Sequence, residues 1–257
     1  MSDDSPREAR AWDSTRLASN PHKDADKAGR VREMFSAIAP AYDLNNRVHS
    51  LWLDQYWRRA TVAAAAPVAG TDVLDVACGT GDLAAHFARA HARSVVALDY
   101  TKAMLDIGKT KALREGGAVG AIRFIEGDAQ DLPFSDSSFD IVSIAFGIRN
   151  VADPARAIRE FHRVLRPGGR LAILEFGQPT APVIRSLHGF YTRHVMPWTA
   201  TLLARDRSGA YRYLPRSVET FLTADALAAL VRQAGFATIS QRSMTLGTCV
   251  LTVGTVA

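Results

Sequence analysis

Val73 to Asp82 reads Val-Leu-Asp-Val-Ala-Cys-Gly-Thr-Gly-Asp, and few folds can hold such a run. It opens as a β-branched and aliphatic segment, turns through Gly79-Thr80-Gly81, and continues with Leu83, Ala84, Phe87 and Ala88 at helical spacing. The order is strand, glycine turn, helix. Glycine lets a backbone pass close to a ligand in torsions closed to other residues, and the free N–H groups of a helix start face the bound molecule. The same turn also serves plain strand-to-helix packing, so the acids that follow it decide between the two.

Asp99 closes the next apolar run, Val95-Val96-Ala97-Leu98, at the distance where dinucleotide and adenosine folds place the acid that accepts from ribose hydroxyls. Gly79-x-Gly81-x-x-Ala84 also satisfies the relaxed NAD fingerprint, which keeps an oxidoreductase in view. Asp75 argues against it, because a carboxylate inside the first strand suits a cationic ligand end and sits awkwardly beside a pyrophosphate. Asp128, after Ile122-Arg123-Phe124-Ile125, adds an acid suited to the exocyclic amine of adenine. Three carboxylates at three successive strand ends favour S-adenosylmethionine as the cofactor.

Bulk composition sets outer limits. The 257 residues are nearly half apolar, enough for one domain with a substantial core. The two cysteines, Cys78 and Cys249, have neither metal-ligand spacing nor a pairing framework, so free thiols, no metal and a reducing compartment are expected. No apolar run approaches the ~20 residues of a membrane span, and the first residues lack a secretory pattern, so a cytoplasmic location is the expectation. The formal charge of +5 permits a negative surface as partner, and nothing in the chain calls for nucleic acid.

Residues 1–28 mix charges of both signs with Pro6 and Pro21, without sustained period, and read as a disordered tail; 29–257 form the domain. Within it, 29–70 form a helical cap, with Val31, Met34, Phe35 and Ile38 on one face and a second helix from Leu51 to about Ala65. Alternation follows: strands near 72–77, 94–98, 122–126, 139–145 and 170–175, with helices from Leu83, from Lys102 behind Thr101, and from Pro154 behind Asp153. Such alternation builds a parallel sheet covered by helices. From 176 to 220 the pattern lapses into an insertion rich in aromatics and arginine, including Arg185, Arg193, Arg205, Arg207 and Arg212, and reads as a lid over substrate. A helix from Ala224 behind Thr223 and two strands, near 238–244 and 248–253, close the chain as an antiparallel edge hairpin.

These residues resemble the menaquinone/ubiquinone C-methyltransferases from about Val31 to the C-terminus. The likeness rests on Phe35-Ser36-x-Ile38-Ala39-x-x-Tyr42-Asp43-x-x-Asn46 with Trp57-Arg58, on Leu74 to Asp82, on Phe146-Gly147-Ile148-Arg149-Asn150-Val151, and on Arg163 to Gly169 followed by Leu174-Glu175-Phe176. Tyr211-Arg212-Tyr213-Leu214-Pro215 in the insertion belongs to the same resemblance. It implies a Rossmann-like, class I S-adenosylmethionine-dependent α/β fold with a seven-stranded, mostly parallel sheet. Thr80, Asp99, Asp128 and Ala129 then line the cofactor site, with Ala145 where the family often has serine. Trp52 and Asp54 stand where the family usually has glycine and often histidine.

The activity implied is methylation of a ring carbon of a reduced polyprenyl quinone precursor, demethylmenaquinol by preference over the ubiquinone precursor. Methyl transfer to another phenol or lipid, and more remotely an NAD-dependent oxidoreductase or a non-catalytic cofactor-binding partner, are the alternatives. Arg149 is expected to stabilise the phenolate, Asn150 to orient the ring, and Tyr42 to close over the cofactor; His49 and His194 are candidate bases. The aromatic insertion, edged by arginines, would rest on an anionic membrane surface and receive the isoprenoid tail. The sequence leaves the oligomeric state open.

Overall fold

A computed structural model of the chain describes residues 11–179, 181–204, 206 and 208–257. The elements in chain order begin with the helices α1 (Ser14–Ala18), α2 (Lys27–Ile38), α3 (Tyr42–Ser50) and α4 (Leu53–Ala65). The alternating region comprises β1 (Asp72–Val76), α5 (Asp82–Arg89), β2 (Ser94–Asp99), α6 (Lys102–Glu115), α7 (Gly117–Gly120), β3 (Arg123–Glu126), β4 (Phe139–Ala145), α8 (Pro154–Val164) and β5 (Leu165–Phe176). It is followed by α9 (Pro182–Phe190), α10 (Met196–Ala204), α11 (Ala210–Thr220), α12 (Ala224–Gln233), β6 (Thr238–Met244) and β7 (Cys249–Thr255).

The seven strands form one sheet in the order β3-β2-β1-β4-β5-β7-β6. β1 to β5 run parallel, and β7 lies antiparallel to both β5 and β6. The period of two along each strand builds the two faces. Val73, Val95 and Ala97 pack with Phe87 of α5 and Trp57 of α4; Leu74, Val76, Val96 and Leu98 pack on the opposite face, with Ile158 and Phe161 of α8 and Val231 of α12 in the same cluster. Burying each large side chain contributes roughly 1.5–3 kcal/mol, which makes these two layers the main source of stability. Asp153 and Thr223 cap α8 and α12 by accepting from Arg156 N and Ala226 N, as their positions in the sequence predict.

The structure departs from the sequence expectation in three places. Residues 11–28 carry short helical elements, with Ala11, Trp12, Pro21 and Lys27 buried. Trp12 is buried, stacks on Tyr213 at 4.6 Å, and donates its backbone N–H to Ser208 O at 3.0 Å. A Cβ at Gly209, whose φ is +88°, would lie 2.0 Å from the Trp12 carbonyl oxygen, so this approach needs glycine. Trp12 lacks periodic apolar neighbours in sequence, because its partners come from α11. The insertion, too, is regular: α9, a π-turn at 191–195, α10 and α11 occupy most of it, with Pro215 inside α11. Finally, β5 begins at Leu165 and carries Pro167-Gly168-Gly169 as an irregularity, its register against β4 shifting between Phe139 and Ile141. Residues 1–10, Arg205 and Arg207 lie outside the described residues.

Candidate active site

The chain leaves β1 toward β2 and β3 on one side, then returns to β4 on the other, so the β1–β4 boundary is where the strand order reverses. Parallel α/β sheets bind ligands in the crevice at the carboxyl ends of the strands at such a point. Here it holds a pocket with an empty volume of about 770 Å³, counting the part open to solvent. Ala77 and Phe146, at the ends of β1 and β4, both line it with positive φ, +50° and +58°. Two non-glycine residues in left-handed backbone store strain where the strands open, as functional sites often do.

Of the expected cofactor residues, Gly79, Asp99, Asp128, Ala129 and Ala145 line this pocket. Asp99 accepts from Gly79 N and Thr101 N, both at 2.8 Å, one bond to each carboxylate oxygen. Burial pushes its pKa up, against the pull of those backbone N–H groups. The bonds fix the carboxylate against the glycine turn while each oxygen keeps acceptor capacity for a ligand hydroxyl. Asp128 accepts from Gln130 N at 2.9 Å and from the Gln130 amide, so its oxygens are oriented by the turn that follows β3. Tyr100, Gly127 and Gln130 also line the pocket; no sequence pattern singled them out.

Three expected residues stand elsewhere. Asp75 is fully enclosed in β1, below the pocket wall; Ser143 Oγ donates to its Oδ1 at 2.8 Å, and Oδ2 makes no hydrogen bond. Burial raises its pKa to about 7. Thr80 is turned into a charged cluster behind the glycine turn, donating to Asp43 Oδ1 at 2.5 Å and receiving Lys111 Nζ at 3.2 Å. Gly81, φ +82°, serves packing, since a Cβ there would meet Phe124 at 2.9 Å. Lys111 also pairs with Asp43 and Asp82, and Arg47 bridges Asp82 and Asp54. Burial acts against ionisation of Asp82, but Arg58, Lys111 and Arg47 hold its carboxyl well below the usual range. Asp54, one of the departures in sequence, thus anchors Arg47 and Arg58 beneath α3 and α4.

The residues expected to act on the ring divide. Tyr42 and Asn150 line the pocket; Arg149 does not. Arg149 is buried, donates from Nη1 to Glu175 Oε1 at 2.6 Å and to Phe146 O at 2.7 Å, and lies 5.1 Å from the Phe176 ring centroid. Its guanidinium fixes the turn after β4 and stands outside the pocket where a phenolate would lie. Asn150 accepts from Tyr213 OH at 3.0 Å through Oδ1 and donates to Phe146 O at 3.3 Å. Tyr42 meets Phe35 edge-on at 6.0 Å, and burial raises its pKa. His49 Nδ1 bonds Tyr191 OH at 3.0 Å, joining α3 to the π-turn, and His194 tilts against Phe190; neither lines the pocket.

A carboxylate fixed at the end of β2, an acid at the end of β3, a glycine turn after β1 and an orphaned buried carboxylate oxygen at Asp75 fit a ribosylated adenine bearing a cationic amino-acid end. No group of three or more His, Cys, Asp or Glu suited to a metal occurs among the described residues. The fold and site define a class I S-adenosylmethionine-dependent methyltransferase. The sequence model of the ubiE/COQ5 methyltransferase family matches residues 23–256, and the chain belongs to that family. It is 45% identical over 230 residues to a demethylmenaquinone methyltransferase of Deinococcus radiodurans, covering 89% of this chain and 93% of that one. It is 41% identical over 226 residues to a ubiquinone/menaquinone biosynthesis C-methyltransferase UbiE of Pseudomonas putida, covering 87% and 88%. Among solved structures, the [4+2]-cyclase SpnF superposes with a TM-score of 0.65 at 24% identity, over 86% of this chain and 77% of that one, a likeness of fold alone.

Proposed function

We propose that the chain transfers a methyl group from S-adenosylmethionine to a ring carbon of demethylmenaquinol, giving menaquinol and S-adenosylhomocysteine. The observation that carries this reading is the strand-end pocket of a chain that shares 45% identity with a demethylmenaquinone methyltransferase over nearly its whole length. When bound, the cofactor supplies a methyl carried on sulfonium, a leaving group that needs no further activation. The protein's task is then geometry and exclusion of water, worth about 7–11 kcal/mol in well-oriented models.

Asp99 holds the ribose hydroxyls, Asp128 and the neighbouring Ala129 take the adenine, and Gly79 lets the backbone approach. Asp75, in β1, would favour the cationic amino-acid end in its ionised form, which that cation would itself promote. Ala145 has no hydroxyl to offer the cofactor, which leaves orientation to the acids. On the far side, Asn150, fixed by Tyr213 and the Phe146 carbonyl, presents its amide to the ring, and Tyr42 closes the pocket over the glycine turn. Transfer of that methyl to the ring would leave S-adenosylhomocysteine, and the displaced ring proton would pass to water at the open side of the pocket.

The isoprenoid tail is assigned to the apolar face of α9 and α10, where Leu187, Phe190, Trp198 and Leu202 are exposed beside the equally exposed Leu51 and Trp52. We assign the same face to the surface of a lipid bilayer; no described helix is long and apolar enough to cross one. Methyl incorporation from labelled S-adenosylmethionine into demethylmenaquinol and a demethylated ubiquinol analogue, both kept reduced, tests the reading. Transfer to the naphthoquinol supports it. Binding of S-adenosylhomocysteine without transfer to either ring would overturn the substrate assignment.

A further inference from the structure

Lys27 begins α2 and is 2% exposed, yet it makes no ion pair among the described residues. Its ammonium donates to one group, the Val151 carbonyl, at 2.6 Å. A charge removed from water without an opposite charge carries a heavy desolvation penalty, and a methionine would fill the same space without it. The use of a lysine here calls for a reason beyond packing.

The reason lies in what the bond joins. Ala28, Val31 and Phe35 of α2 line one wall of the pocket, and Asn150, Val151 and Ala152 line another. The Lys27–Val151 bond ties these walls together from inside. At the other end of the pocket Arg32, also on α2, pairs with Glu126 at 2.8 Å and lies 5.2 Å from the Tyr100 ring centroid, both at the surface. α2 therefore spans the pocket mouth between a buried fastening and an exposed one.

We propose that Lys27 is a positioning residue, whose ammonium clasps α2 to the turn after β4 and so sets the affinity of the pocket for its cofactor. The inference rests on the cofactor assignment made above. It also explains the placement of Asn150, the residue before the clasped carbonyl, whose side chain is held independently by Tyr213. The charged and titratable groups that interact with Lys27 are His22 from the 3-10 turn at 21–23 and Arg149 from the turn after β4, itself paired with Glu175. Burial, then the Arg149 charge, pushes the Lys27 pKa down to about 8. The amine is protonated below that value, so the clasp is a charge-assisted hydrogen bond near neutrality and weakens as pH rises through 8.

Calorimetric titration of S-adenosylhomocysteine into the full-length protein and Lys27→Met, on both sides of pH 8, tests this. At neutral pH the variant binds roughly 10- to 100-fold more weakly, the span of a lost charge-assisted hydrogen bond. Its thermal midpoint stays within about 2 °C of the parent, because an apolar chain replaces a buried charge. The parent loses affinity through pH 8 while the variant's weak binding stays flat. In turnover, KM for the cofactor rises and kcat changes little. Equal affinity in the two proteins, or the same alkaline loss in both, overturns the clasp. The parent's own pH profile carries the test if the variant does not fold: affinity unchanged across pH 8 counts against it. Absence of binding by the parent at every pH would instead overturn the cofactor assignment.

Discussion

Two helical covers, α2 to α4 and α9 to α10, are held in opposite ways. The segment α2 to α4 is fastened to the sheet by charge: Lys27 on the Val151 carbonyl, Lys111 on Asp43, and Arg47 between Asp54 and Asp82. The segment α9 to α10 shows a few polar ties, such as Tyr191 with His49, and turns Leu187, Phe190, Trp198 and Leu202 outward. The first cover belongs over a small, charged ligand that must be oriented to a fraction of an ångström. Under the function proposed above, the second takes the long apolar tail, for which its exposed face is the route of entry.

Removing one partner of the buried charged scaffold is the most severe way to break this contrast. Glu175→Leu leaves Arg149 buried without its acid, and frees the Arg149 and Phe176 backbone N–H groups from their acceptor. Loss of one member of a buried pair costs about 3–5 kcal/mol, and in a chain of this size lowers the thermal midpoint by roughly 6–20 °C. Phe190→Ser on the apolar cover should move stability by less than about 0.5 kcal/mol. Differential scanning calorimetry of the two variants measures both, and comparable losses would erase the distinction.

A smaller effect comes from pH acting on Asp75. Its pKa in the folded chain, raised to about 7, lies above the ordinary carboxylate value, so the folded state binds the extra proton between them. Stability contributed by the protonated acid is therefore full below about pH 4, falls as pH rises toward 7, and levels beyond it. Asp75→Asn should remove that component and gain up to about 4 kcal/mol above pH 7 relative to the parent in the absence of ligand. Urea melts at matched pH values check the sign. An unchanged pH dependence in the variant would mean that Asp75 stays ionised.

Next in size is the half-exposed latch at Asp43. Asp43→Ala releases Lys111 and Thr80, and the ion pair is open enough to water that only about 1 kcal/mol of stability is at stake. Because Tyr42 precedes it and lines the pocket, the KM for S-adenosylmethionine should rise several-fold. Equivalent truncation of Leu187 should leave that KM alone and raise the KM for a long-tailed quinol. A cofactor KM that ignores Asp43 would detach the latch from the site.

The sheet was legible because its signals are local. Val-Leu-Asp-Val, Val-Val-Ala-Leu and the Asp153-Pro154 and Thr223 caps each announce their own structure, and Phe139 to Ala145 is a strand with the predicted ends. What escaped depends on partners distant in sequence. Trp12 has meaning only against Tyr213, and Lys27 only against Val151. Arg149 shows the same limit from the other side, since its motif could not reveal that Glu175 lies within hydrogen-bonding distance on the neighbouring strand. The family resemblance implies Thr80 in the cofactor site, whereas its hydroxyl donates to Asp43 of α3.

The smallest effect is, like that of Asp75→Asn, a gain in stability. Leu51 and Trp52 join α3 to α4, both with left-handed backbone at φ +52° and +62°, and both exposed, by 79% and 61%. A non-glycine residue in this conformation loses about 1–2 kcal/mol, and glycine recovers part of that while adding about 0.5–1 kcal/mol of chain entropy to be lost on folding. Trp52→Gly should therefore raise stability slightly, by about 0.5 kcal/mol. A tryptophan held in strain with its indole in water makes sense as an anchor at the boundary of headgroups and acyl chains, where such rings partition. Flotation with anionic vesicles should then show weaker recovery of the stabilised variant than of the parent. Full recovery would place the bilayer contact on α9 and α10 alone, and reduced stability would mean that Trp52 packs in a way its exposure does not suggest.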